Sequence, residues 1–245
     1  MSTNQAAFPT TDWGLLKNIR GKDPELQRVG LEILAKRYWY PVYCFLRRFG
    51  HNESDSKDLT QAFFSGWIEN NGFAKADSDK GRFRSFMLTC LKRFVSNSRR
   101  ADNAQRRKPA KGLISLDALM DSDEHAFEPQ GEGLSPDRIF DRQWAVGVVM
   151  RVIRRLEAEY QNTGKSSHYD IFLQRIIAPV LHGAQEQTLA ALGTKHGMTE
   201  KQAGNCLLTA KRAYRRLMED EVRLYAASES EVADEIRELF RILGQ

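Results

Sequence analysis

The apolar residues of this chain recur every three or four positions, which is the spacing of amphipathic helices. The pattern begins at Asp23-Pro24-Glu25, where an N-cap residue, a proline at the first helical position and an early acid mark a helix start. Pro41 is expected to interrupt this first apolar stretch. Between residues 83 and 94, apolar residues at i, i+3, i+4, i+7, i+8 and i+11 predict a long helix with one buried side. No convincing strand pattern occurs, so we predict an all-α fold.

The helical period is lost between residues 103 and 134, where Pro109, Pro129, Gly131 and Gly133 occur. It returns at Ser135-Pro136-Asp137, which opens a new helix. We therefore predict two small helical domains joined by an acidic, irregular linker. The predicted segments are an N-terminal segment at 1–22, a first domain at 23–107, a linker at 108–134, a second domain at 135–225 and a C-terminal helical extension at 226–245.

Two helices of the second domain have the spacing of a helix-turn-helix. The first runs from Leu189 to Gly197, and the second begins at Thr199-Glu200-Lys201-Gln202, which has the form of a capping box. Gly193 allows a close approach of the two helices, and Gly197 makes the turn. As a recognition helix, the second would place its first residues near base edges and its basic residues near phosphates, whereas the alternative is an ordinary helical hairpin. Its candidate DNA-binding residues are Thr199, Lys201, Gln202, Asn205, Lys211, Arg212 and Arg215.

The basic residues are concentrated in one segment, although the net charge of the chain is only +5. Eleven residues between Lys80 and Lys111 are lysine or arginine, against one acid. The sign then reverses, because seven acids and no lysine or arginine lie between residues 115 and 137. A basic segment that also contains Phe83 and Phe86 suits a surface that neutralises phosphates and stacks on unpaired bases. The alternative is a solvated helix face without a function.

Composition favours a chain that stays in the cytoplasm. Hydrophobic residues make up 41% and charged residues 28%, and no stretch approaches the roughly 20 apolar residues of a membrane-spanning helix, so no membrane partner is expected. The first eleven residues lack the basic and apolar regions of a secretory signal. Cys44, Cys90 and Cys206 stand far apart on apolar helical faces, and we expect them to be reduced packing residues.

The sequence gives little support to an enzyme. Thr163-Gly164-Lys165-Ser166 is like the end of a phosphate-binding loop, but Glu159 stands where that motif needs a glycine. The linker acids Asp121, Asp123 and Glu124 lack the spacing of a calcium loop. The histidines are scattered, with no nucleophile or acid at a meaningful spacing. We therefore expect no catalytic residue, no metal and no cofactor.

Four motifs in order resemble a known family. They are Tyr40-Pro41-Val42-Tyr43, the segment from Asp58 to Phe64, the segment from Gly81 to Phe86, and the helix-turn-helix. Together they look like a bacterial sigma factor of the ECF type, in a longer subgroup whose tail continues beyond the second domain. The resemblance implies that the first domain binds core RNA polymerase and melts the minus-ten element, and that the second reads the minus-thirty-five element.

The resemblance also assigns residues and partners. The segment that would dock on the β′ clamp helices of the polymerase contains Asp58, Leu59, Gln61, Phe64 and Trp67. The alternative for Phe64 and Trp67 is that they are core residues. The minus-ten contacts would come from Asn70, Asn71, Lys80, Arg82, Arg84, Phe86, Lys92, Arg93, Asn97, Arg99 and Arg100. The implied partners are core polymerase, through its β′ clamp helices and β flap, and promoter DNA. An anti-sigma factor or a kinase is left open as a further partner.

The chain departs from the family pattern in both domains. Lys57 replaces an acid of the usual Asp-Ala-Glu-Asp, and phosphorylation of Thr60 would restore that negative charge. In the recognition helix, Gly204 and Cys206 stand where basic residues are usual, and Leu208-Thr209 replaces a His-Arg pair. We therefore expect the first domain to carry most of the promoter specificity. A free-standing helix-turn-helix regulator and an interaction adaptor stay open as alternative functions.

Overall fold

The structure is a computed structural model that describes residues 19, 21, 23–69, 81–102, 133–224, 226 and 228–244, without the side chains of 68, 69, 99–102 and 182. Across these residues every regular element is helical and none is a strand, which confirms the all-α prediction. The helices are α1 (Pro24–Arg48), α2 (Glu53–Glu69), α3 (Phe83–Asp102), α4 (Pro136–Asn162), α5, α6 (Leu189–Lys195), α7 (Glu200–Val222) and α8 (Val232–Leu243). Helix α5 runs through Ser166–Phe172, a π-helical turn at Leu173–Ile177 and Ala178–His182. A 3-10 turn at Glu229–Glu231 precedes α8.

The chain divides into two compact units. Unit 1 contains the described residues before Val148 and from Arg223 onward, and unit 2 is Val148–Val222. This grouping differs from the division predicted at residue 135, because α4 begins in unit 1 and ends in unit 2. Helix α8, predicted as an extension beyond the second domain, belongs to unit 1. Apart from residues 19, 21, 133 and 134, the predicted N-terminal segment and linker lie outside the described residues.

Helix α1 starts where the sequence predicts and continues through the expected break. The Asp23 side chain accepts hydrogen bonds from the backbone N–H groups of Glu25 and Leu26, at 2.9 and 3.3 Å. Pro41 lies inside α1 and is buried, so the expected interruption was wrong. A proline inside a helix costs about 3 kcal/mol. The burial of Tyr38 and Phe45 on either side of it offsets that cost.

An aromatic cluster joins α1, α2 and α3 in unit 1. The ring of Phe63 lies 5.2 Å from that of Trp67 and 5.5 Å from that of Phe94, measured between centroids. Phe83 meets Tyr38 edge-on at 5.5 Å and Trp67 at 6.4 Å. Edge-to-face and tilted pairs at these distances stabilise a core beyond the apolar area that they bury. The cluster therefore fixes which side of α3 faces inward.

In unit 2, α5 packs on α7, and an ion pair at the end of α7 joins it to α4. The rings of Phe172 and Tyr214 lie 5.0 Å apart. Near the end of α7, the buried carboxylate of Glu221 accepts a hydrogen bond from Arg151 Nε at 2.8 Å, and Arg155 Nη1 lies 3.5 Å from its second oxygen. Two cations compensate the removal of this carboxylate from water.

Cys44 is buried, as expected of a packing residue, and burial raises the pKa of its thiol to about 12. Cys90 and Cys206 are half-buried, and all three cysteines are free. Within the described ranges, no helix combines the length and apolarity needed to cross a bilayer. The same ranges contain no cluster of three or more His, Cys, Asp or Glu that could hold a metal ion.

We expect Glu221→Ala to lower the free energy of unfolding by about 2 kcal/mol, because the substitution removes the buried carboxylate that accepts a charge-assisted hydrogen bond from Arg151. The control is Glu186→Ala, which breaks the pair between Arg175 and Glu186 in the same unit, where the carboxylate side chain is 59% exposed. That change is expected to stay within about 0.5 kcal/mol. Urea unfolding of the full chain, followed by circular dichroism, measures both. Equal losses in the two variants would contradict the role given to Glu221.

Candidate nucleic-acid interface

Helix α3 has a side that packs in unit 1 and an opposite side in contact with solvent. The packed side, at i, i+4, i+8 and i+12, consists of Phe83, Met87, Leu91 and Val95, all buried. Away from this packed row, Phe86, Arg93 and Asn97 fall at i, i+7 and i+11, so they share a second helical face, with Phe86 at the edge nearest the packed side. Arg82 directly precedes the helix, four positions before Phe86. We call Arg82, Phe86, Arg93 and Asn97 the outer face of α3.

Arg93 and Asn97 are exposed, which leaves a cation and an amide on the outer face open to a ligand. Phe86 is half-buried, with its ring 5.8 Å from Trp67 and 6.1 Å from Phe83. It therefore lies at the edge of the aromatic cluster and is partly exposed to solvent. A basic helix face bordered by an aromatic ring is the arrangement that binds single-stranded nucleic acid by phosphate contacts and base stacking.

Arg84 lies on the packed side of α3, and only 7% of its surface is exposed. Its guanidinium carbon is 4.3 Å from the centre of the Trp144 ring, and its Nε is 3.1 Å from Asp141 Oδ1 on α4. Burial raises the pKa of Asp141, and the charge of Arg84 opposes that rise. The resemblance had assigned Arg84 to promoter DNA. In this structure its guanidinium belongs to the core of unit 1 and is closed to a phosphate.

Two further cations, both predicted to bind DNA, form ion pairs with acids of unit 1. Lys92 Nζ lies 2.5 Å from Asp137 Oδ2 at the start of α4. Arg82 forms an ion pair with Glu235 of α8, and its Nη1 lies 3.8 Å from Glu238 Oε1. Arg82 keeps 38% of its side chain exposed. Arg82 therefore forms an ion pair, belongs to the outer face of α3 and is still in contact with solvent.

Several residues of the minus-ten prediction cannot be placed. Asn70, Asn71 and Lys80 lie outside the described residues, as do the side chains of Arg99 and Arg100. The predictions for these positions therefore stay predictions.

On α2, the structure divides the residues predicted to dock on polymerase. Phe64 and Trp67 are buried, which supports their alternative assignment to the core. Asp58 is exposed, and Gln61 and Leu59 are half-buried. The polar positions Asp58 and Gln61 are one helical turn apart, on the side of α2 away from Phe63. A partner of unit 1 could reach these two side chains without disturbing the aromatic cluster.

The structure does not favour Thr60 as a phosphorylation site. Its side chain is 1% exposed, and its hydroxyl donates a hydrogen bond to the backbone oxygen of Ser56 at 2.6 Å. A kinase would have to open α2 to reach this oxygen. Lys57, which replaces the usual acid of the motif, pairs with Glu53 at 2.7 Å. This i,i+4 pair offsets part of the added positive charge.

The predicted turn between α6 and α7 is confirmed in detail. A Cβ on Gly193 would lie 2.8 Å from the backbone oxygen of Met198, so only glycine allows this approach without a shift of the backbone. Gly197 has a φ of +67°, in the left-handed region that glycine adopts readily. The Asp170 carboxylate on α5 contacts the end of this helix pair, because its Oδ2 lies 3.1 Å from His196 Nε2. The Asp170 side chain therefore lies beside the turn.

The capping box at the start of α7 is also confirmed, and it uses two of the predicted base contacts. The Thr199 backbone N–H donates to Gln202 Oε1 at 2.8 Å, and the Gln202 N–H donates to Thr199 Oγ1 at 3.3 Å. These side chains bind each other in this structure. Their contribution is to fix the first turn of α7.

Beyond the capping box, one exposed stripe runs along α7. Its members, at i, i+4, i+7, i+11 and i+14, are Lys201, Asn205, Leu208, Arg212 and Arg215, and all are exposed. Lys211, also exposed, lies to one side of this stripe. Leu208, with 49% of its surface exposed, was missed by the sequence analysis, which treated it as the loss of a basic residue. Its signal in the sequence is the interval of seven from Lys201, which puts both on one face.

Comparisons with known proteins add no relative. No protein-family model matches the chain, and neither a curated protein nor a solved structure matches it.

We expect Arg93→Ala to weaken the binding of single-stranded DNA of any sequence. It should reduce the slope of log affinity against log salt concentration by about 0.7, the value for one phosphate contact on a single strand. Arg84→Ala removes the same charge from the packed side of the same helix, and we expect it to lower stability with little effect on the slope. Fluorescence anisotropy at several salt concentrations, with a thermal unfolding curve for each variant, measures both effects. If Arg84→Ala reduced the salt slope and Arg93→Ala mainly lowered stability, the division of α3 into two sides would be contradicted.

Proposed function

We propose that this chain is a sigma factor of the ECF type, which binds core RNA polymerase and directs promoter recognition, DNA melting and transcription initiation. The observation that carries the proposal is a pair of exposed helical faces, one in each unit. Each face combines cations with a side chain that can read or stack on a base, and their order along the chain is that of the family motifs. The proposed activity needs no cofactor and no catalytic residue.

The outer face of α3 suits a melted minus-ten strand. Arg93 and Arg82 are cations for backbone phosphates, and Phe86 offers part of an aromatic ring to an unpaired base. Asn97 is a side chain that can bind a base edge or a phosphate, and it lies one turn from Arg93. A melted strand presents phosphates and unpaired bases, and the side chains of this face could bind both.

The exposed stripe of α7 suits a major groove. Asn205 near its amino end can donate to and accept from an adenine, and Leu208, one turn further, can contact a thymine methyl group. Arg212 and Arg215 then lie where a recognition helix meets phosphates. The stripe holds one amide and one apolar side chain for bases, so we infer modest discrimination at the minus-thirty-five element and a larger share of specificity in unit 1.

The docking of polymerase would use Asp58 and Gln61. Both lie on the side of α2 that leaves the core intact, whereas Phe64 and Trp67 contribute by holding α2 in place. The proposed contact on the β′ clamp helices is therefore more polar than the family motif alone implies. Charged contacts at the edge of an interface mainly affect association rate and salt dependence.

A free-standing helix-turn-helix regulator is the second candidate. It is favoured by the complete geometry of α6, the turn and α7, which needs no polymerase to bind duplex DNA. Co-purification with core polymerase separates the two functions, because a sigma factor requires it and a free-standing regulator does not.

In transcription reactions with core RNA polymerase and genomic DNA fragments, we expect the chain to start transcripts at defined promoters. Asp58→Arg should lower affinity for core polymerase by roughly tenfold, because it reverses a charge at the proposed contact. Glu25→Arg, the same reversal at an exposed position on α1, serves as the control and should leave the affinity unchanged. Unchanged affinity in Asp58→Arg would contradict the docking site. DNA binding without any association with polymerase would favour the free-standing regulator.

A further inference from the structure

Helix α8 carries a carboxylate in the middle of its packed side. Val232, Leu239 and Ile242 on that side are buried, and Glu235 lies between them with 4% of its surface exposed. Burial raises the pKa of Glu235, and the charges of Arg82 and Arg84 oppose that rise. A carboxylate in such a place is costly unless a cation compensates it. The docking of α8 therefore depends on a cation of unit 1.

Arg82 is the cation that Glu235 contacts directly. The two side chains form an ion pair, and Arg82 comes from the outer face of α3. Glu238 is less dependent on Arg82, because Arg241 on the same helix lies 2.7 and 2.8 Å from its two oxygens, whereas Arg82 Nη1 is 3.8 Å away. Accordingly, Arg241 is the main cause of the lowered pKa of Glu238. Of the two acids, Glu235 is the one that loses most if Arg82 turns away.

Arg82 and Arg84 differ in their freedom to turn away from the acids of α8. Arg84 is held by Asp141 and by the Trp144 ring, and it is buried. Arg82 is more than a third exposed and lies at the end of the outer face that also carries Phe86 and Arg93. A phosphate bound along this face would therefore recruit Arg82 and leave Arg84 in place.

We propose that α8 and a nucleic-acid phosphate bind Arg82 in alternation, so that α8 lowers the affinity of the outer face of α3 for DNA. The inference depends on the proposed function only in that this face binds DNA. When Arg82 turns to a phosphate, Glu235 loses its ion pair inside the packed side of α8, and the docking of α8 weakens. A helix of 12 residues is marginal on its own in water, so a released α8 also loses helical structure.

The test uses the full chain and a fluorescein-labelled, single-stranded DNA oligonucleotide of mixed sequence, with affinity measured by fluorescence anisotropy at one salt concentration. Glu235→Gln keeps the shape of the side chain and removes its charge, and we expect it to tighten DNA binding about fivefold or more. Asp234→Asn is the matched control. It removes one negative charge from the exposed side of the same helix, where Asp234 pairs with Arg237, and should change affinity much less.

A double variant shows whether the gain passes through Arg82. If α8 competes for this arginine, Glu235→Gln should have no effect in a chain that already carries Arg82→Gln. A similar gain in both backgrounds would overturn the proposal, as would a Glu235→Gln chain that binds no more tightly than Asp234→Asn. If neither the unchanged chain nor any variant binds the oligonucleotide, the proposed function fails together with this inference. If the unchanged chain binds and the variants do not differ, the inference alone fails.

Discussion

The arrangement of unit 1 depends on the contacts that the buried guanidinium of Arg84 makes with its neighbours. This guanidinium connects α3 to α4 through Asp141 and Trp144, and its Nη2 lies 3.8 Å from Glu238 Oε1 of α8. A charged group in this position must keep its partners, since removing one leaves an uncompensated charge in the core. Together with the aromatic cluster, these contacts fix the rotation of α3, with Arg93 and Asn97 on the solvent side. Arg84, which is buried on the packed side of α3, therefore helps to position the outer face of the same helix.

The features that the sequence predicted correctly are those set by neighbours along the chain. The Asp23 cap, the Thr199 and Gln202 capping box and the Gly197 turn each depend on residues within three or four positions. The roles of the α3 cations were not accessible in this way. In the sequence, Arg84 and Lys92 look the same as Arg93, but their acidic partners lie 45 or more residues away along the chain. Only the packing of α4 and α8 shows that Arg84 is buried, whereas Lys92 forms an exposed ion pair with Asp137.

The two proposed DNA-binding faces are built by different means. The α7 stripe is presented by a short, locally determined motif, in which a capping box and two glycines fix the helix and its side chains are left exposed. The outer face of α3 is presented by long-range packing, and its Arg82 is shared with α8. A face of the second kind can be regulated by whatever docks beside it, because a ligand and an internal acid bind the same cation. Under the proposed function, the affinity of unit 1 for DNA would depend on the stability of α8.

Hydrogen–deuterium exchange of the full chain, with and without single-stranded DNA, tests most directly whether one arginine serves both α8 and nucleic acid. Backbone amides report the opening of a helix residue by residue, without any substitution. The account predicts that DNA slows exchange at the start of α3 and speeds exchange throughout α8. If DNA slows exchange in α3 and exchange in α8 stays the same or becomes slower, the two do not alternate, and the account is contradicted.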